Sequence, residues 1–105
     1  MEMAEHRIRE LNSRFNYHNI FRYIVDWRKT LNVSGVIPFH HARKWCNETW
    51  GFGTDVDTHD VALRAGEQVN PHWAYEIRYD QYRIYLAGDQ ELAWFRLKFG
   101  VGKSR

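Results

Sequence analysis

Residues 72 to 88 read HWAYEIRYDQYRIYLAG. Large apolar side chains recur at every second position, Trp73, Tyr75, Ile77 and Tyr79, with Ala74, Glu76 and Arg78 between them. After Asp80 and Gln81 the same period resumes, with Tyr82, Ile84 and Leu86 set against Arg83 and Tyr85. Such alternation marks a strand that buries one face, because successive side chains leave the backbone on opposite sides. A two-residue turn at Asp80 and Gln81 predicts a hairpin over 72–87 in which Tyr79 meets Tyr82, Ile77 meets Ile84 and Tyr75 meets Leu86. All the apolar residues then share a face, and a slip of one residue would scatter them. The turn lacks the glycine that a type I′ turn favours, so its geometry stays open.

A hairpin with one greasy face needs a cover. Downstream, GDQELAWFRLKFG offers Asp89 as an N-cap and Glu91 in the first turn, with Leu92, Phe95 and Phe99 at helical steps. A helix over about 89–97 is expected, although Ala93, Phe95, Leu97 and Phe99 also alternate as a strand would. Upstream, GVIPFHHARKWCNETWG predicts another helix. Pro38 suits a first turn, Phe39, Ala42, Cys46 and Thr49 form one stripe, and Gly51 suits a left-handed C-cap. Cys46 on that stripe should face the core, where a thiol behaves as a small hydrophobe.

Further upstream, Tyr17, Ile20, Ile24, Trp27 and Leu31 fall at steps of three and four and read as a helix, capped by Asn16 and ended by Asn32 and Gly35. Ile8, Leu11 and Phe15 suggest a second helical stripe out of phase with it. Residues 52–71 show no period and read as loop, with a short strand at 61–63. The expected class is α+β, a small antiparallel sheet covered on one face by two or three helices, in one domain spanning 1–105.

The bulk composition agrees with a packed chain. Of 105 residues, 44% are hydrophobic and 16% aromatic, with 5 Trp, 6 Tyr and 6 Phe. The net charge of +2 falls short of the strong basic bias of most obligate nucleic-acid binders. Arginine far outnumbers lysine, and arginine suits planar, bidentate contacts. One cysteine cannot form an internal disulfide, and the opening MEMAEHRIRE has no apolar run. Both point to a cytoplasmic protein with no membrane partner.

The pattern KWCNETWG, a loop, then WAYEIRYDQYRIYLAGDQELAWFRLKFG resembles small uncharacterised proteins of tailed bacteriophages. The matching residues are Trp45, Cys46, Thr49, Gly51, Tyr85, Asp89, Glu91, Phe95, Leu97 and Phe99, within roughly residues 44–100. The resemblance implies a phage accessory or early protein acting in the host cytoplasm by binding a host protein, as an inhibitor or modulator, and brings no activity with it.

Three kinds of chemistry are open to the residues themselves. Trp50, Trp73, Tyr85 and Trp94 are candidates for an exposed contact patch, since Trp, Tyr and Arg dominate binding hot spots. Arg78 and Arg83 fall opposite each other on the hairpin's polar face, with Tyr85 beside them. Like charges in that relation repel unless a carboxylate or a docked anion intervenes. Glu76 is the internal counter-ion, and a nucleic-acid strand, stacked on Tyr85 with its phosphates on the arginines, is the external one. Asp55, Asp57, His59 and Asp60 could gather round a hard cation, although the glycine and final glutamate of a calcium loop are missing. Cys46 has no histidine at a spacing that would make it a nucleophile. No catalytic residue and no cofactor is assigned, and a non-catalytic, protein-binding role is the leading expectation.

Overall fold

The computed structural model describes residues 6–15, 17–27, 36–78 and 81–100. Its elements are β1 (His6–Glu10), β2 (Tyr23–Trp27), α1 (Val36–Trp50), α2 (Val56–Arg64), β3 (Trp73–Arg78), β4 (Gln81–Leu86) and α3 (Asp89–Phe99). The class is α+β, and the hairpin β3–β4 belongs to a four-stranded antiparallel sheet in the order β1-β2-β4-β3.

The hairpin's faces divide as its alternation predicts, but the register differs by two residues. Trp73 pairs with Leu86, Tyr75 with Ile84, Ile77 with Tyr82 and Arg78 with Gln81. A two-residue shift keeps every side chain on its own face, so burial does not choose between the registers. The shift removes the clash of like charges, because Arg83 now lies opposite Glu76. The proposed turn residue Asp80 and the proposed pair partner Tyr79 lie outside the described residues, as do Asn16, Leu31, Asn32 and Gly35.

Helices α1 and α3 form the layer expected on one face. Phe39, Ala42 and Cys46 from α1 and Leu92 and Phe95 from α3 pack on Val25, Trp27, Trp73, Ile84 and Leu86. Gly51 follows α1 at φ +91, the left-handed conformation its position predicts. The cap of α3 is Gly88 rather than Asp89. Asp89 instead accepts hydrogen bonds from the Tyr23 hydroxyl at 2.5 Å and from Arg22 Nη1 at 3.2 Å.

Three expected elements are replaced. The two helical stripes of the N-terminal third are strands β1 and β2, with turns over 17–20. Residues 24–27 of β2 are all buried, because β2 is an inner strand with both faces covered. A strand of that kind shows no alternation, and its apolar run can then mimic a helical stripe. Within the expected loop over 52–71, residues 56–64 form α2, and the short strand expected at 61–63 lies in that helix. Asp55 caps α2, its carboxylate accepting from Thr58 N at 3.1 Å and Thr58 Oγ1 at 2.8 Å.

Helix α2 covers the sheet's second face together with residues 11–15 and 17–21. Val56, Leu11 and Phe21 bury against Ile24, Ala74 and Tyr85. The sheet is therefore covered on both faces, where a one-sided cover is the simpler expectation from the hairpin's polar residues.

Cys46 is fully buried in the first core, and burial pushes its thiol well above the ordinary range. A maleimide probe at neutral pH is expected to label the folded protein more than ~100-fold more slowly than the urea-unfolded chain, because labelling must await local opening. Equal rates would remove Cys46 from the core.

Candidate functional site

The second face of the sheet changes character along its strands. Its apolar part holds Ile24, Ala74 and Tyr85. Beyond them a row of alternating charge crosses all four strands. Arg7 on β1 lies opposite Asp26 on β2, Asp26 opposite Arg83 on β4, and Arg83 opposite Glu76 on β3. Asp26 and Glu76 are both only 7% exposed. Carboxylates so poorly hydrated need cationic partners to remain in a sheet. Arg9 Nη2 reaches Asp26 Oδ2 at 2.6 Å, and Arg7 Nε stands 3.9 Å from Asp26 Oδ1.

Glu76 is held more loosely by its arginines. Its Oε1 accepts from the Tyr85 hydroxyl at 2.9 Å and from Arg83 Nη1 at 3.4 Å, while Arg78 Nη2 stands 3.7 Å from Oε2. Burial, then Glu76, push the Tyr85 hydroxyl far above its ordinary range, so it remains a donor. Arg78 is drawn outward to Asp57 on α2, at 2.8 Å. Asp57 also accepts from the Tyr17 hydroxyl, which burial and that bond push up to about 12. Glu76, Arg78, Arg83 and Tyr85, together with Arg14, Phe15, Tyr17 and Gln81, line a half-open pocket of about 170 Å³.

Of the residues expected to bind, Arg78 and Arg83 therefore do share a site. Tyr85 joins them only through its hydroxyl. Its ring is 3% exposed, packed against Phe21 at 5.7 Å and Tyr17 at 5.8 Å, so it cannot stack on a base. The proposed aromatic patch does not assemble either. Trp73 is fully buried on the other face of the sheet, and Trp50 is half-buried against Trp45, with ring centroids 5.0 Å apart. Trp94 alone of the four is open to solvent, on the outer side of α3 beside Leu97.

The proposed cation loop is the first turns of a helix, and its side chains diverge. Asp55 caps α2. Burial alone would raise its carboxyl, but the hydrogen bonds from Thr58 outweigh that and hold it low. Asp57 turns to Tyr17 and Arg78, and Asp60 pairs with Arg64 at 3.0 Å. His59 is buried beneath Phe21, with ring centroids 4.9 Å apart. Among the described residues no three His, Cys, Asp or Glu side chains group to hold a metal ion.

Burial holds the His59 imidazole below its ordinary value, with Asp60 opposing. An unfolded imidazole titrates at about 6.5. Between the lowered folded value and that one, the unfolded chain binds the extra proton. The stability from a neutral His59 is thus complete above the unfolded value and is lost as the pH falls towards the folded one. Between about pH 7.5 and about pH 5.5 the wild-type urea midpoint is expected to drop further than that of His59→Gln. Parallel curves would refute this role for the ring.

The contributions of Arg7, Arg9, Arg14, Tyr17, Asp26 and Asp57 to this site escaped the sequence reading. Residues 7–27 read as helices, so nothing set β1 and β2 beside Arg83. The available signal was the Arg7-Ile8-Arg9 alternation, which is only one strand long. Among the described residues no helix is long and apolar enough to cross a membrane. No protein-family model, curated protein or solved structure matches the chain.

Proposed function

We propose that the protein is a non-catalytic binding module that docks a partner protein on the outward side of α3. The observation that carries this reading is the exposure of Trp94, 51%, and Leu97, 87%, on a helix whose inner side is already filled by Leu92 and Phe95. A surface helix normally turns polar residues to water. Here a tryptophan and a leucine one turn apart face solvent, with Ala93 exposed beside them and Arg96 and Lys98 in the same turns. Tryptophan and arginine are the residues on which interface energy concentrates, and the basic flank favours a partner with an acidic rim. Burial of Cys46 supports a binding role over thiol chemistry. The bacteriophage resemblance of residues 44–100 supports a host protein as the partner and an accessory, inhibitory role.

The test is a pull-down from bacterial lysate with the wild type and with the double variant Trp94→Ser, Leu97→Ser. Both positions are solvent-facing, so the variant is expected to keep its fold. The wild type is expected to retain a stoichiometric protein, and the double variant to lose it at least ~30-fold, the equivalent of one hot-spot residue of about 2 kcal/mol. Equal recovery by the two proteins, or recovery of nucleic acid alone, overturns the reading.

A further inference from the structure

The pocket on the sheet's second face holds more cation than its own carboxylates use. Arg14, Arg78 and Arg83 line it, and Glu76 is the one carboxylate among the described lining residues. Three guanidiniums therefore face one carboxylate among the described lining residues.

The geometry shows that this capacity is also unspent at the level of single atoms. Charge-assisted bonds from nitrogen to carboxylate run at about 2.7–2.9 Å. Glu76 is 3.4 Å from Arg83 and 3.7 Å from Arg78, and its short bond goes to the Tyr85 hydroxyl instead. The Nε of Arg83 is buried and has no hydrogen-bond partner among the described residues. A buried donor left in that state is destabilising until something accepts from it. Among the described residues Arg78 makes its contacts through Nη2 alone. Arg14 pairs with no carboxylate among the described residues.

We propose that this pocket binds the phosphate group of a phosphomonoester, held by Arg14, Arg78 and Arg83. A monoester dianion suits a lining of three guanidiniums against one carboxylate among the described residues, and its three terminal oxygens suit guanidinium forks arriving from different directions. A volume of about 170 Å³ is below the range of pockets that enclose a whole drug-sized ligand, so the pocket takes the charged head and leaves the remainder outside. Tyr85 and Glu76, both buried, are part of its lining. The Tyr85 ring, buried and unable to stack, argues against a base platform at the same place. This site is separate from the outward side of α3, and either can fail without the other.

Isothermal titration calorimetry at constant ionic strength tests the assignment, using inorganic phosphate, phenyl phosphate and an oligothymidylate in turn. Saturable 1:1 binding of the first two is expected. Arg14→Gln and Arg78→Gln, both at exposed positions, are each expected to weaken it about tenfold, the loss of one charged hydrogen-bonding partner. Neither should alter the thermal midpoint by more than a few degrees. Lys44→Gln, exposed on α1, should bind as the wild type does. The proposal is overturned by the absence of saturable phosphate binding, or by equal binding in the arginine variants. It is also overturned if only the oligothymidylate binds, with affinity falling steeply as salt rises, since that result assigns the arginines to a nucleic-acid backbone.

Discussion

Trp73→Ala is expected to cost about 3–5 kcal/mol, a large share of the stability of a domain this size. Trp73 is fully buried in the core between the sheet and α1. Its indole Nε1 donates to the Gly51 carbonyl at 3.0 Å, so truncation removes a bond as well as a ring. The ring is also seated directly against the backbone. A Cβ built on Gly53 would lie 2.6 Å from Trp73 Cε2, closer than real contacts allow. Gly53→Ala is therefore expected to displace the indole and cost about 1–3 kcal/mol. In a double-mutant cycle by urea unfolding, Gly53→Ala should cost almost nothing once Trp73 is alanine, because the two share one contact. Additive effects would show that the glycine answers to something else.

Asn70 explains how that contact is built. Its Nδ2 donates to the carbonyls of Trp50, Gly51 and Phe52 at 3.1, 3.3 and 3.2 Å, and its Oδ1 accepts from the backbone of His72 at 2.8 Å. One side chain thus ties the end of α1 to the start of β3 and delivers Gly53 onto the indole.

Glu76→Ala is the second large effect, expected at about 3 kcal/mol. The carboxylate is 7% exposed, and its removal leaves the Tyr85 hydroxyl and the Arg83 guanidinium without their acceptor inside a covered sheet. Breaking a buried ion pair from one side costs about 3–5 kcal/mol, and the lower end applies because Arg83 keeps some contact with water. Glu76→Gln retains an acceptor for Tyr85 while discarding the charge, and should lose roughly half as much. Thermal melts separate the two variants, since about 1 kcal/mol moves the midpoint of a domain of this size by roughly 4–8 °C. A loss below about 1 kcal/mol for Glu76→Ala would mean that water already satisfies these groups.

How far the sequence carried these conclusions depended on the symmetry of each environment. The hairpin was legible because Trp73 to Leu86 contrasts two faces with strict alternation. Its register was not, since a shift of two leaves the alternation intact. Helix α1 was legible from Phe39, Ala42 and Cys46 together with Gly51, and α3 from Leu92 and Phe95. Strand β2 failed because Ile24, Val25, Asp26 and Trp27 are all enclosed, which erases the period that identifies a strand. Helix α2 failed for another reason. Asp55, Thr58 and Arg64 supplied cap and dipole signals, but the glycines on either side and the run of aspartates read as loop. The charged pocket inherited both failures. Arg78 and Arg83 were found on the hairpin, whereas Arg14, Tyr17 and Asp57 came from segments assigned to other structure.

The pairing of β2 with β4 has a consequence for how the chain is made. Val25 meets Ile84, so the two inner strands of the sheet come from segments far apart in the sequence. During synthesis the β1–β2 hairpin leaves the ribosome with its inner edge unsatisfied and must wait for β4. Closing so long a loop precedes any gain from the contact, which slows folding. A nascent chain stalled before β4 emerges should be protease-sensitive throughout.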